Sequence, residues 1–210
     1  MYLIDKTYFI KKISVANANE PLGDASENLE MSIDRYARQF LQITLGNVLF
    51  ADLDSNVTDG ELSVSAPQKW LNLVNGCTYT YNGKDYVWKG LLQVDGLYKS
   101  SVLAHFTYLN QYQEDINSIL GQIQIEPKNG VNIGSTNHLV EVWNEFVDMY
   151  QGSTCNYPEK SWHNGVLFVD YYGQGGESGY VSYLQFLRDN TSDYENAPAG
   201  VIKYKNSLGI

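Results

Sequence analysis

The sequence predicts a mainly α fold with minor β: a small helical core of three long amphipathic helices, inserted β-hairpins and a C-terminal appendage. Three observations carry that expectation. Apolar residues recur at helical spacing in three separate stretches. Asn82-Gly83 stands between two aromatic-rich runs, a strong short-range hairpin signal. After Tyr150 the helical periodicity gives way to a chain rich in Gly, Asn and Tyr. At 210 residues and 43% hydrophobic, the chain can build one substantial core or a core plus a smaller unit. The expected division is a helical domain over 1–150 and an appendage over 151–210.

Taken in order, Tyr2–Ile13 is a mixed apolar and basic opening, a strand or a helix turn, and Ala16–Gly23 reads as a loop broken by Pro21 and Gly23. Asp24 and Glu27 suit a capping box. Leu29, Ile33, Tyr36, Ala37, Phe40, Leu41 and Leu45 then define a helix that Gly46 is placed to cap, with Glu30, Asp34, Arg35 and Arg38 on its solvated side. Val48–Asp59 is a short helical or irregular piece ending at Asp59-Gly60. Pro67 opens a short helix carrying Trp70, Leu71 and Val74, and Asn75-Gly76 stops it. Cys77–Tyr81 and Asp85–Trp88 form the hairpin.

Tyr98, Val102, Phe106, Leu109 and Tyr112 mark the second long helix. Ile119, Gly121, Ile123 and Ile125 alternate as in a strand, which Pro127 and Asn129-Gly130 end. Ser135 is placed to cap a third long helix with Leu139, Trp143, Phe146, Val147 and Tyr150 on one face. In the appendage, Gln151–Gly165 reads as a loop, Val166–Tyr172 as a buried strand, Gly173–Gly179 as a turn, Tyr180–Arg188 as a short helix and Asn190–Ile210 as an extended tail.

No catalytic, cofactor or metal motif emerges from the residue spacing. His105, His138 and His163 are scattered, without the i, i+4 pairing of a helical metal site and away from Cys77 and Cys155. His105 reads as a helix-surface or core-edge residue. Both cysteines read as small core residues in a reducing compartment. Glu141, Glu145 and Asp148 follow one side of the third helix, away from its apolar stripe, and read as a solvated face rather than an acid–base pair. The segment Gly173-Gln174-Gly175-Gly176-Glu177-Ser178-Gly179 follows a strand-like run, yet Ser178 stands where a dinucleotide loop needs its third Gly. It also lacks the Lys of a phosphate loop, and it reads as a flexible turn.

The formal charge of −10 argues against a protein that grips nucleic acid through its phosphates. It favours solubility and repulsion of other polyanions. The opening residues lack a secretory pattern, and no run approaches the ~20 apolar residues of a membrane span. The sequence is therefore expected to fold in a cytoplasm, without a membrane partner. The matches to the glycosylation pattern at Asn56 and Asn190 are then fortuitous. Its 17 Tyr and 4 Trp are dispersed through helices and hairpins, which favours core and subunit contacts over a single sugar-binding groove. The candidate subunit-contact residues are Tyr79, Tyr81, Tyr86, Trp88, Trp162, Tyr171, Tyr172, Tyr194 and Tyr204.

Two phrases and the helix order carry a family resemblance. One phrase is Trp88-Lys89-Gly90-Leu91 leading into Val102–Tyr112. The other is Gly121-Gln122-Ile123-Gln124-Ile125-Glu126-Pro127-Lys128-Asn129, followed by Leu139-Val140-Glu141-Val142-Trp143-Asn144-Glu145-Phe146-Val147-Asp148-Met149-Tyr150. Over residues 1–150 the chain resembles the head–tail connector (adaptor, head-completion) proteins of tailed bacteriophages, of the Bacteroides-infecting and crAss-like type. Residues 156–210 match no part of that pattern.

The resemblance implies a non-enzymatic virion protein, assembled in the bacterial host cytoplasm, at the head–tail junction. It implies a homo-oligomeric ring, a dodecamer, beneath the dodecameric portal protein, joined to the tail or to further ring proteins. DNA would pass through the channel without sequence-specific binding. Such a subunit needs no cofactor. On this reading, deleting Asn190–Ile210 leaves a folded but assembly-deficient protein. A glycan- or surface-binding tail module is the alternative. An enzyme on cell-wall or nucleotide substrates would need a concave pocket gathering titratable groups from distant segments.

Overall fold

The computed structural model describes residues 2–15, 24–95, 98–122, 133–152, 162–163, 166–167 and 180–203. Among them the architecture is mainly α with minor β. Two 3-10 turns, Lys6–Tyr8 and Lys11–Ile13, open the chain. The α-helices are α1 (Asp24–Asp54), α2 (Gln68–Asn75), α3 (Val102–Gln122), α4 (Ile133–Gln151) and α5 (Tyr183–Asp189). The strands form antiparallel two-stranded hairpins: β1 (Val57–Thr58) with β2 (Glu61–Leu62), β3 (Cys77–Tyr81) with β4 (Lys84–Trp88), β5 (Gln93–Asp95) with β6 (Tyr98–Ser100), and β7 (Trp162–His163) with β8 (Val166–Leu167).

The apolar stripe on α1 does what its spacing requires: Leu29, Ile33, Ala37, Phe40, Leu41 and Leu45 are all buried. Gly46 ends the first of two helical stretches, as its place in the sequence suggests. Its φ of 80° and ψ of 164° break the helical ladder, and a second helical stretch resumes and runs to Asp54. A residue with a Cβ resists that conformation, so the glycine closes the first stretch and turns the chain into the second. α1 packs on α3, α3 on α4, and α4 on α5. At the centre the Phe40 ring meets Phe106 (5.3 Å), Tyr183 (5.5 Å), Tyr150 (6.0 Å) and Phe146 (6.1 Å), drawing one core from α1, α3, α4 and α5.

The β3–β4 hairpin forms as its sequence requires. Cys77 pairs with Trp88 and Tyr81 with Lys84, while Asn82 (φ 51°) and Gly83 (φ 75°) supply the two left-handed residues of the turn. Its root docks on α5: Trp88 stacks on Phe186 at 5.4 Å and donates its Nε1–H to the Leu73 carbonyl at 2.9 Å. Its far end stands clear, with residues 80–85 all exposed.

Several local expectations are corrected. Tyr98 belongs to β6, and α3 starts four residues later, where the Ser101 hydroxyl accepts from the Leu103 N–H at 3.1 Å. Ile119 and Gly121 lie inside α3 rather than in a strand, because the helix continues through Gln122. Ser135 lies within α4, which begins at Ile133, rather than at its N-terminal boundary. Ser182 caps α5, accepting from Gln185 N–H. The expected loops at 16–23 and 173–179, the alternation at 123–125 and its end at 127–130 lie outside the described residues, as do residues 168–172 of the expected strand.

The expected division after residue 150 does not divide the core. Val181, Tyr183, Leu184, Phe186, Leu187 and Tyr194 belong to the same buried cluster as α1 and α3. The tail is also tied down by hydrogen bonds. Tyr150 OH donates to the Gly200 carbonyl (3.0 Å), Trp143 Nε1–H to Lys203 (2.9 Å), and Ile202 N–H to the Gln151 side-chain carbonyl (2.7 Å).

Candidate functional site

Of the candidate contact residues, Trp88 and Tyr194 are interior. Their exposures are 3% and 2%, and the rings are covered by the chain's own α2 and α5, which leaves no ring surface for a neighbouring subunit. Tyr79 and Tyr86 are half-buried, stacked on each other at 5.8 Å, and Tyr79 OH donates to Asp189 Oδ2 at 2.7 Å. Tyr81 is exposed at the hairpin end. Trp162 lies on β7. Tyr171, Tyr172 and Tyr204, the side chain of Trp162, and Cys155 lie outside the described residues. Cys77 is a free thiol, half-buried, with its pKa raised by burial.

The feature that sequence reading missed is a polar pocket of about 150 Å³, lined by Tyr8, Ile10, Lys11, Lys12, Ile13, Lys99, Ser100, His105 and Glu145. Its residues come from distant segments. The second 3-10 turn supplies Lys11 and Lys12, with Lys11 at φ 54°. β6 supplies Lys99 and Ser100, the first turn of α3 supplies His105, and α4 supplies Glu145. The fold brings them together because the second 3-10 turn, with Ile13 buried, packs on α3 and α4, while the first, with Tyr8 buried, packs on β6. Glu145 is therefore not on an ordinary solvated face, although Glu141 is.

His105 is buried, at 6% exposure, not a surface residue. Its Nδ1 lies 3.0 Å from the Ser101 carbonyl. A carbonyl only accepts, so Nδ1 carries the proton and Nε2 keeps its lone pair. Nε2 faces Glu145 Oε1 at 3.9 Å, beyond hydrogen-bond reach. The other carboxylate oxygen, Oε2, is covered and has no hydrogen-bond donor, and Lys12 Nζ approaches it only to 3.6 Å. Lys99 Nζ donates to Thr7 Oγ1 at 2.5 Å and lies 3.7 Å from Asp5. Tyr8, against Lys99 at 5.1 Å, has its pKa raised by burial and by Asp5.

Burial lowers the His105 pKa below its ordinary 6.5, outweighing the Ser101 hydrogen bond and the Glu145 charge, which raise it. The unfolded chain then binds more protons than the native one. Stability from this group is complete above about pH 6.5 and declines as pH falls below it, toward the depressed native value. The melting temperature is expected to fall between about pH 7.5 and pH 5.5, and His105→Asn is expected to flatten that fall. Parallel melts of the two proteins at both pH values check it. Equal pH slopes would contradict the assignment.

No group of His, Cys, Asp and Glu among the described residues is arranged to hold a metal ion, and no described helix is long and apolar enough to cross a membrane. No protein-family model, curated protein or solved structure matches the chain.

Proposed function

We propose that the chain is a structural virion protein that works by packing against other subunits: a ring component at the portal vertex that joins head to tail and extends the DNA channel. The observation that carries the packing role is the β3–β4 hairpin. Its root is locked into the core by Trp88, while residues 80–85 stand clear with Tyr81 at the end. A two-stranded ribbon gains little from standing alone in water, so an anchored root and a bare end suit an arm that completes its packing on a neighbour. Met31, Ile43 and Val48 on α1, together with Val64 and Val94, add exposed apolar side chains to the same molecule.

The placement of this role at a portal vertex rests on the likeness to connector proteins in residues 1–150. The net charge of −10 is compatible with it, since an acidic ring wall repels the DNA backbone and limits sticking during ejection. The glycan-binding alternative draws less support. It needs a group of exposed aromatic rings, whereas among the described residues Trp70, Trp88, Tyr183 and Tyr194 are buried and Tyr81 is the exposed tyrosine.

Tyr81→Ser is the direct test of the arm. An exposed substitution of this kind is expected to shift stability by no more than about 0.5 kcal/mol. Incorporation into particles, measured as copies per major capsid protein, is expected to drop severalfold. Normal incorporation would remove the hairpin end from the interface.

A further inference from the structure

We propose that the pocket between the second 3-10 turn, β6, α3 and α4 is a binding site for a phosphate group, taken in a form that still carries a proton. The composition of the lining points there first. In a chain with net charge −10, Lys11, Lys12 and Lys99 converge on one cavity that Glu145 alone among carboxylates lines. The neighbouring acids stand back from the Lys12 and Lys99 ammonium groups. Glu141 is 3.9 Å and Glu145 3.6 Å from Lys12 Nζ, and Asp5 is 3.7 Å from Lys99 Nζ, all longer than a direct charge-assisted hydrogen bond. An anion entering the pocket can therefore take shorter contacts than these carboxylates make. The pocket also lies beside the N-terminal turn of α3, where the helix dipole favours negative charge.

Glu145 selects among anions. Its Oε2 is covered and lacks a donor, a costly state for a carboxylate oxygen. The lone pair of His105 Nε2 faces the other oxygen, Oε1, across 3.9 Å, so two acceptors look at each other beyond hydrogen-bond reach. A fully ionised oxyanion such as sulfate would satisfy the lysines and leave both acceptors unmet, with Glu145 repelling it. A singly protonated phosphate gives its P–OH hydrogen to the Glu145 carboxylate while its remaining oxygens accept from the lysines. The cavity of about 150 Å³ holds such a group; a cavity of similar size in another protein takes a benzene ring.

The test is titration calorimetry on the full-length protein near pH 6.5, with sodium phosphate, sodium sulfate and ethyl phosphate as separate probes. Phosphate is expected to bind at least about tenfold more tightly than sulfate, the worth of one charge-assisted hydrogen bond. Lys12→Gln and Lys99→Gln are each expected to weaken phosphate binding by about tenfold or more, with melting curves confirming that the variants fold. Glu145→Gln is expected to strengthen sulfate binding and erase the preference, because the amide donates where the carboxylate only accepts. A gain of that kind cannot come from misfolding. Ethyl phosphate binding as well as inorganic phosphate would make a phosphate monoester the ligand. Its exclusion would make the ligand inorganic phosphate. Equal binding of phosphate and sulfate to the unaltered protein, or no binding at millimolar phosphate, would overturn the proposal.

Discussion

Gly76→Ala is expected to destabilise the protein by about 3–6 kcal/mol, combining a backbone conformation nearly reserved for glycine with a direct clash. Gly76 closes α2 at φ 88° and ψ 162°. A Cβ there would stand 2.6 Å from the Lys89 carbonyl carbon and 2.6 Å from the Trp88 carbonyl oxygen. These are main-chain atoms that cannot rotate away. Gly90, at φ 88°, meets the same strand crossing from the other side, with Asn75 C, Gly76 N and Val74 O all 2.6 Å from its own would-be Cβ. The close approach lets Leu91 N–H and Leu92 N–H donate to the Leu73 and Val74 carbonyls. It thereby fixes where the hairpin root leaves α2. Gly83→Ala is the internal control. Its φ of 75° is also left-handed, but nothing lies within 4 Å of the added carbon, so the cost is expected to be about 1–2 kcal/mol of backbone strain alone. Equilibrium urea unfolding of the two variants separates crossing from strain. A Gly76→Ala loss no larger than that of Gly83→Ala would show that the crossing tolerates a methyl group.

Truncation after Asp189 is expected to unfold or nearly unfold the chain, contrary to the folded, assembly-deficient product that the sequence suggests. The deletion removes Tyr194, whose ring packs 5.6 Å from Phe186 and 5.9 Å from Trp70 and whose hydroxyl donates to the Lys69 carbonyl at 2.6 Å. Losing a buried aromatic side chain of this kind costs about 3–5 kcal/mol. It also leaves Tyr150 OH and Trp143 Nε1 without their Gly200 and Lys203 acceptors. Against a typical total of about 5–15 kcal/mol, these losses together are severe. Tyr194→Phe, which keeps the ring, is expected to cost only about 1 kcal/mol. Truncation after Lys203 keeps every one of these contacts and is expected to melt well above the chain ending at Asp189. A shorter chain ending at Asp189 that melts like the intact protein would restore the tail to an appendage.

What the sequence made legible was the part of the fold governed by local rules. Helical spacing found the buried face of α1, and Asn82-Gly83 placed β3 and β4 within one residue of their ends. Asp59 and Gly60, at φ 53° and 84°, turn β1 into β2. That Asp-Gly pair was visible in the sequence, but the strands it joins are only two residues long. Too little alternation precedes it to read as a hairpin. Tyr98 was misread for a related reason: a strand residue four positions before a helix can extend the helical period by coincidence. The role of residues 181–203 was hidden because burial of Tyr183, Phe186 and Tyr194 depends on long-range partners such as Phe40, Trp70 and Trp88, which no local pattern specifies. The polar pocket was illegible on the same ground. Lys12, Lys99, His105 and Glu145 are separated along the chain, and the packing of the N-terminal turns against β6, α3 and α4 makes them neighbours.

The central claim is that this chain acts as a particle-bound subunit, and quantitative mass spectrometry across a density gradient of infected-cell lysate tests it most directly. The account predicts co-migration with phage particles at a low, fixed copy number relative to the major capsid protein. Recovery only as a free, soluble pool would contradict it.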